Sequence, residues 1–152
     1  MARILISIGS NVERGKHIRA GVDALKQEFA DVTLSSVYES VAVGFDGAPF
    51  YNLAVAAHTT QSIADVVRVI KQIEDSNGRV RKCAKFSSRT LDLDLLTYDD
   101  EVAQAPVELP RDEITKNAFV LWPLAELVPN EIHPTVQKSY QTLWQLFNKD
   151  KQ

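Results

Sequence analysis

The stretch SSRTLDLDLL, residues Ser87 to Leu96, carries two aspartates inside a run of leucines. Side chains of an extended strand alternate between two faces, so the leucines at odd positions share one face while Asp92 and Asp94 share the other. The two carboxylates are then about 7 Å apart. Their repulsion is about 0.6 kcal/mol in water but about 2.4 kcal/mol at an effective dielectric constant of 20. We therefore expect a buried strand with a positively charged group close to its two acids.

The segments that precede this strand alternate between strand and helix patterns. Apolar residues recur with helical spacing from Ile18 to Phe29, and a second apolar stripe runs from Ile63 to Ile73. Ser62, with Asp65 three residues later, is typical of a helix start, and Asn77-Gly78 is typical of a helix end. The predicted strands span residues 3–8, 32–40, 50–59 and 91–98.

This order of elements predicts an α+β fold. Strand, helix, strand, strand, helix, strand is the order of a ferredoxin-like βαββαβ sandwich, with an antiparallel or mixed sheet and both helices on one face. The last fifty residues predict extra C-terminal strands and helices: short strand-like pieces around 101–109, and a helix from about Ser139 to Phe147. Many unrelated functions share this order, so the fold alone does not indicate a function.

Composition sets the class of protein. The chain has 152 residues, of which 45% are hydrophobic and 24% charged, which predicts one globular domain over residues 1–152. The net charge of −3 argues against a general nucleic-acid or membrane-surface binder. The single cysteine, Cys83, excludes an internal disulfide and fits a reducing compartment. We find no apolar run long enough for a membrane span or a signal peptide, so we expect a cytoplasmic protein without membrane partners.

A basic segment lies directly before the two aspartates. The run RVRKCAKFSSR, residues 79–89, holds five of the 17 lysines and arginines and no acid. Arginine and lysine bind phosphate oxygens, while a pair of carboxylates suits Mg²⁺, which takes one or two protein carboxylates together with substrate phosphates. The pattern predicts a nucleotide polyphosphate site without a P-loop motif. The alternatives are a solvated surface loop for the basic segment and a solvent-facing edge strand for the aspartates.

Several motifs, in order along nearly the whole chain, resemble the 6-hydroxymethyl-7,8-dihydropterin pyrophosphokinase family. The resemblance implies a ferredoxin-like fold and an ATP-dependent diphosphotransferase (pyrophosphokinase) of folate biosynthesis, which transfers pyrophosphate from ATP to the pterin alcohol. The matching motifs are IGSN (8–11), SSVYES (35–40), FYN (50–52), RVRK (79–82), RTLDLDLL (89–96), AFVLWPLAEL (118–127) and IHP (132–134).

The resemblance also implies roles for individual residues. Asp92 and Asp94 would bind two Mg²⁺ ions, and Arg81 and Arg89 would act on the transferring group. The basic segment would close over ATP. The implied ATP-binding residues are Arg79, Arg81, Lys82, Lys85, Arg89, Arg111 and Lys116. The implied pterin-binding residues are Ser40, Val43, Phe50, Asn52, Phe86 and Phe119.

The chain departs from the family pattern at several phosphate-binding positions. Arg111 stands where the family usually has histidine, and Lys85, Asn117 and Pro106 stand where arginine is usual. Val41 replaces a proline, and Phe86-Ser87-Ser88 replaces Trp-Gly-Pro. The metal-binding half of the site is thus kept, while the second phosphate-binding half has lost positive charge.

Two other functions remain open from the sequence. The substitution at Asn117 is compatible with a non-catalytic or altered-substrate paralogue that binds nucleotide or pterin without transfer. An RNA-binding ferredoxin-like domain would place the basic segment on RNA, but its signature sheet aromatics are absent and the net charge is unfavourable. The expected partners are therefore the small molecules ATP and hydroxymethyl-dihydropterin, without nucleic acid, bound by a monomer.

Overall fold

The computed structural model describes residues 1–41, 47–78 and 90–148. Within these ranges the chain forms a sheet of five strands and five helices. The strands are β1 (Ala2–Ser10), β2 (Ala30–Leu34), β3 (Tyr38–Ser40), β4 (Phe50–Thr59) and β5 (Asp92–Tyr98). The helices are α1 (Arg14–Glu28), α2 (Ile63–Ser76), α3 (Glu113–Lys116), α4 (Ala118–Leu127) and α5 (Tyr140–Leu146).

The sheet is antiparallel and has the strand order β2-β4-β1-β5, with β3 paired to β4 as well. β1 lies at the centre because β4 and β5 pair with its two sides. β5 is the last strand on its side of this order, so one of its edges faces away from the sheet. This arrangement confirms the predicted ferredoxin-like fold.

Each face of the sheet is covered by different helices. The alternate residues Ile4, Ile6 and Ile8 of β1 pack with the apolar stripes of α1 and α2. Leu5 points to the other face, where the apolar residues of α4 and α5 cover it. Burial of two sheet faces by helices on both sides follows from the period of two in each strand. The predicted placement of α1 and α2 on one face is confirmed.

Helix α2 begins and ends as the sequence predicts. Ser62 caps its start, with the side-chain oxygen accepting a hydrogen bond of 3.2 Å from the Asp65 amide. Asn77 ends it, and Gly78 follows with φ of +80°, a left-handed conformation that glycine adopts without strain. The Asp65 carboxylate pairs with Arg68, one turn further along the helix.

The predicted strand over 32–40 is interrupted. Ser35 separates β2 from β3: its amide donates to the Ala54 carbonyl (2.9 Å), and its hydroxyl accepts from the Ala54 amide (2.8 Å). The strand-like pieces around 101–109 form one antiparallel bridge, between Ala103 and Leu109. None of the helices in the described ranges has the length and apolar character needed to cross a membrane.

Candidate active site

Three neighbouring strands bring a predicted pterin-binding residue close to the two predicted metal-binding residues. In the sheet register Gly9 of β1 is paired with Asn52 of β4 on one side and with Asp92 of β5 on the other. Paired residues of antiparallel strands point to the same face, so these three positions form a row about 10 Å long. The next row on the same face is Ala54, Ser7 and Asp94. The predicted pterin residue and the predicted metal residues therefore share one sheet face, opposite α1 and α2.

Asp92 and Asp94 occupy the first part of β5 and flank the buried Leu93. Burial and the negative charge of Asp92 together raise the pKa of Asp94 to about 7, while Arg111 acts in the opposite direction. Bringing two acids together in a poorly hydrated place disfavours their ionised form. A bound cation would remove this cost.

Arg111 supplies a positive group beside these acids, as the two aspartates led us to expect. Its amide donates to the Leu96 carbonyl, which holds the residue alongside β5. One guanidinium nitrogen, Nη2, lies 3.2 Å from Asp94 Oδ1 and 3.6 Å from Glu113 Oε1. The Arg111 and Asp94 side chains are each about one quarter exposed. The residue at which the chain departs from the family histidine is therefore part of the candidate site.

Glu74 of α2 is a site residue that the sequence analysis missed. Its side chain is buried, and Oε2 accepts a hydrogen bond of 2.8 Å from the Leu93 amide, between the two aspartates. It also lines a cleft at the edge of β5 together with Asp92, Asp94 and Arg111. A signal was present, because Glu74 falls four residues after Ile70 on the apolar stripe of α2 and is the charged residue within that stripe.

The pterin half of the candidate site is built on β3 and β4. Asn52 is buried, and its Nδ2 donates to Ser40 Oγ at 2.8 Å. Phe50 lies beside Gly9, where an added Cβ would be 3.8 Å from the ring and 3.4 Å from Asn52 Oδ1. Phe119, in the first turn of α4, packs on the apolar cluster of the same face. The structure thus places Ser40, Phe50 and Asn52 on the strand pair β3–β4. A further predicted pterin residue, Phe119, lies on α4, which covers the same face.

Lys116, a predicted ATP-binding residue, and its neighbour Asn117 lie at the junction of α3 and α4. Lys116 ends α3 and its Nζ forms an exposed ion pair of 2.7 Å with Asp112. Asn117 provides the residue before the first turn of α4. The remaining predicted site residues lie outside the described ranges: Val43, Arg79, Arg81, Lys82, Lys85, Phe86 and Arg89.

The donor set of the acid pair fits Mg²⁺. Within residues 1–41, 47–78 and 90–148, no three His, Cys, Asp or Glu side chains are grouped as a metal cage. Mg²⁺ does not require such a cage, since it retains waters and binds one or two carboxylates together with substrate phosphates. The two aspartates, with a raised pKa at Asp94 that a cation would reverse, match this type of site.

Comparisons with known proteins agree with the geometry. A family model described as 7,8-dihydro-6-hydroxymethylpterin-pyrophosphokinase matches residues 5–129. The 2-amino-4-hydroxy-6-hydroxymethyldihydropteridine pyrophosphokinase of Aquifex aeolicus is 33% identical over 91% of this chain and 88% of its own length. The protein of the same name from Bacillus subtilis is 36% identical over 80% of this chain and 75% of its own length.

Solved structures show the same fold. The crystal structure of wild-type Plasmodium falciparum HPPK-DHPS with pteroate matches with a TM-score of 0.75 and 13% identity. The match covers 95% of this chain and 42% of that one, so the present chain spans less than half of the bifunctional protein.

Proposed function

This chain belongs to the 7,8-dihydro-6-hydroxymethylpterin-pyrophosphokinase family, and we propose that it transfers the pyrophosphoryl group of ATP to 6-hydroxymethyl-7,8-dihydropterin. The observation that carries the proposal is the row Asn52–Gly9–Asp92, which sets an amide suited to a heterocycle beside a carboxylate suited to a metal. We further propose that the chain acts as a monomer, since both halves of the site lie on one sheet. The reaction takes place in the cytoplasm, where the lone Cys83 would stay reduced.

The pterin ring lies over the sheet face that Gly9 leaves open. Asn52 reads the polar edge of the ring, with its amide orientation fixed by the hydrogen bond to Ser40. Phe50 and Phe119 flank the ring, and such aromatic stacking contributes about 0.5–1.5 kcal/mol beyond area burial. Val43 and Phe86 add apolar contacts, as the family resemblance implies.

The phosphates lie above Asp92 and Asp94. These carboxylates would hold two Mg²⁺ ions, and bound Mg²⁺ would supply neutralisation of phosphate charge and activation of the pterin hydroxyl. Arg111 is close enough to Asp94 to reach a phosphate bound there, and its planar guanidinium can form two parallel hydrogen bonds. Arg79, Arg81, Lys82, Lys85, Arg89 and Lys116 complete the positive surroundings of the triphosphate by family resemblance.

The transfer itself needs no covalent enzyme intermediate. The pterin hydroxyl attacks the β-phosphorus, the bond to the α-phosphate oxygen breaks, and AMP leaves. For this class of reaction the protein contributes mainly by positioning the two reactants and by stabilising charge. The 10 Å row from Asn52 to Asp92 sets the spacing between the ring and the phosphates.

The test is AMP release from ATP, measured with and without the pterin alcohol and with and without magnesium. We expect AMP only when both are present, and a loss of at least about 100-fold in Asp92→Ala and Asp94→Ala. Asp23→Ala, which removes an exposed aspartate of α1, is the matched control. Normal turnover in either site variant would refute the metal assignment. Tight binding of Mg-ATP and pterin without AMP formation would instead indicate a non-catalytic paralogue.

A further inference from the structure

Glu126, near the end of α4, joins that helix to the strand that carries Ser40. Its two carboxylate oxygens accept from the Ser36 amide at 3.2 and 3.0 Å, and one accepts from the Ser36 hydroxyl at 2.9 Å. The Tyr38 hydroxyl donates a further hydrogen bond to the same carboxylate. One side chain therefore holds both Ser36, two residues before β3, and Tyr38, the first residue of β3.

Glu126 makes this contact in its charged form. The hydrogen bond from Tyr38 lowers the pKa of Glu126, although the side chain is exposed. Burial and the hydrogen-bonded Glu126 carboxylate together raise the pKa of Tyr38 to about 12. The carboxylate is therefore ionised and the phenol protonated throughout the neutral range, which is the pairing that a charge-assisted hydrogen bond requires.

The two elements joined by Glu126 carry different parts of the candidate pterin site. Tyr38 is paired in the sheet with Asn52, and Ser40, two residues further along β3, accepts the hydrogen bond of the Asn52 amide. On α4, Phe119 precedes Glu126 by seven residues. Seven residues are close to two helical turns, so both side chains lie on the same side of the helix, about 10 Å apart along its axis.

Trp122 lies between these two residues on the same stripe of α4 and supports the contact. Its ring packs against Tyr38 with centroids 4.8 Å apart. Aromatic packing alone tolerates several offsets between the rings. The three hydrogen bonds that Ser36 and Tyr38 donate are directional, so they define one position of α4 relative to β3. Glu126 thus fixes one end of this stripe of α4 side chains against β3, and Phe119 lies at the other end.

We infer that Glu126 is a positioning residue that sets the distance between α4 and β3 across the candidate pterin site, and with it the affinity for the flat pterin substrate. The inference rests on the proposed function, because it takes Phe119 on α4 and Asn52 with Ser40 on β4 and β3 as parts of the pterin site. Glu126 contacts neither substrate: it acts through β3 on one side and through α4 on the other. The ATP half of the site, on β5, is not part of this linkage.

The experiment separates positioning from general stability. Binding of the pterin alcohol and of ATP is measured by calorimetry for wild type, Glu126→Ala, Glu126→Gln and Tyr38→Phe, together with KM for each substrate. We expect Glu126→Ala to weaken pterin binding about tenfold, since the loss of charge-assisted hydrogen bonds is of that order. ATP affinity should change by less than about twofold, and the Gln variant, which still accepts hydrogen bonds, should recover much of the pterin affinity.

Glu131→Ala is the matched control. Glu131 also joins the C-terminal part of the chain to the sheet, through an ion pair of 2.7 Å with Arg3. This ion pair does not involve any of the candidate pterin residues. It should lower stability without changing pterin affinity. Unchanged pterin affinity in Glu126→Ala and Tyr38→Phe, or an equal loss for ATP, would overturn the inference alone. A wild-type protein that binds no pterin would overturn the proposed function and the inference together.

Discussion

The guanidinium of Arg111 lies 3.2 Å from the carboxylate of Asp94, at the place where the family resemblance implies a metal ion. Among the described residues, this arginine is a cation that offsets the negative charge of Asp94. A divalent cation that binds Asp94 must compete with it, and the displaced guanidinium would then be free to bind a phosphate oxygen. Metal binding and phosphate binding are therefore expected to be coupled through one side chain.

Replacing Arg111 with methionine should tighten the binding of a metal ion in the absence of nucleotide. Removing the competing charge should increase Mn²⁺ affinity about tenfold, because a change of 1.4 kcal/mol is well within the interaction energy of charges at this distance. The same variant should bind Mg-ATP more weakly, since a phosphate contact is lost. Titration with Mn²⁺ alone at pH 8, followed by calorimetry, measures the first effect.

The matched control for this prediction is Arg68→Met. Arg68 also forms an ion pair with an aspartate, Asp65, but on the exposed surface of α2. Its loss should leave the Mn²⁺ affinity unchanged apart from a small general effect of net charge. An Arg111→Met protein that binds Mn²⁺ no more tightly than wild type would show that the two cations do not compete.

Replacing Glu74 with alanine should destabilise the strand that carries the acid pair. The Leu93 amide would lose its acceptor, and a buried donor left without one costs about 1–3 kcal/mol. Urea unfolding measures the loss of stability, and hydrogen exchange at the Leu93 amide localises it. Glu74→Gln retains an acceptor oxygen and should restore most of the protection of that amide. Equal exchange rates in wild type and both variants would contradict this role.

The elements of the fold follow from local patterns that a sequence displays. The strand predicted over 50–59 is β4 (Phe50–Thr59), because a run of mostly apolar residues is bounded by a turn and by the Ser62 cap. The split of the strand predicted over 32–40 was not predictable from those residues. It depends on the Ala54 backbone and on Glu126, which lies ninety residues from Ser36.

The candidate site shows the same division between local and distant information. The alternation in LDLDLL places Asp92 and Asp94 on one face without further data, and the motif FYN suggests Asn52. The contacts that Arg111, Glu74 and Glu126 make with the two halves of the site link segments 17 to 90 residues apart. Glu74 and Glu126 leave only a weak signal in the sequence: Glu74 is the charged residue on the apolar stripe of α2, and Glu126 is the charged residue of the apolar helix α4.

Adding a side chain at Gly9 should obstruct the site while preserving the fold. An added Cβ would meet Asn52 Oδ1 at 3.4 Å and Phe50 at 3.8 Å, distances that a strand accommodates with small shifts. Valine suits a strand, but its methyl groups would occupy the open floor between Asn52 and Asp92. We expect Gly9→Val to weaken pterin binding by at least about tenfold, with Gly9→Ala intermediate.

Calorimetry with the pterin alcohol measures the effect of the Gly9 variants, and circular dichroism checks their fold. Ala2→Val, at the other end of β1, is the control for a larger side chain in the same strand. It should leave pterin binding unchanged. Full pterin affinity in a folded Gly9→Val protein would mean that the ring does not lie over this row.

Replacing Asp94 with asparagine should stabilise the metal-free protein at pH 8. The pKa of Asp94 is raised in the folded state, to about 7, above the ordinary value of 3.8 for an unfolded chain. The folded protein therefore holds the proton more tightly between these values, and the stability that this gives is lost as the pH rises from about 4 to about 8. At pH 8 the ionised carboxylate should cost about 1–3 kcal/mol relative to asparagine, while near pH 4 the two proteins should unfold with similar free energies.

Urea unfolding across this pH range measures the difference, and Asp23→Asn, on the exposed face of α1, controls for the loss of an aspartate. With magnesium present, wild type should be more stable than Asp94→Asn, because the ion stabilises only the protein that retains the carboxylate. If Asp94→Asn is less stable than wild type at pH 8 without metal, the acid pair is already compensated by its neighbours and would have no need of a bound cation.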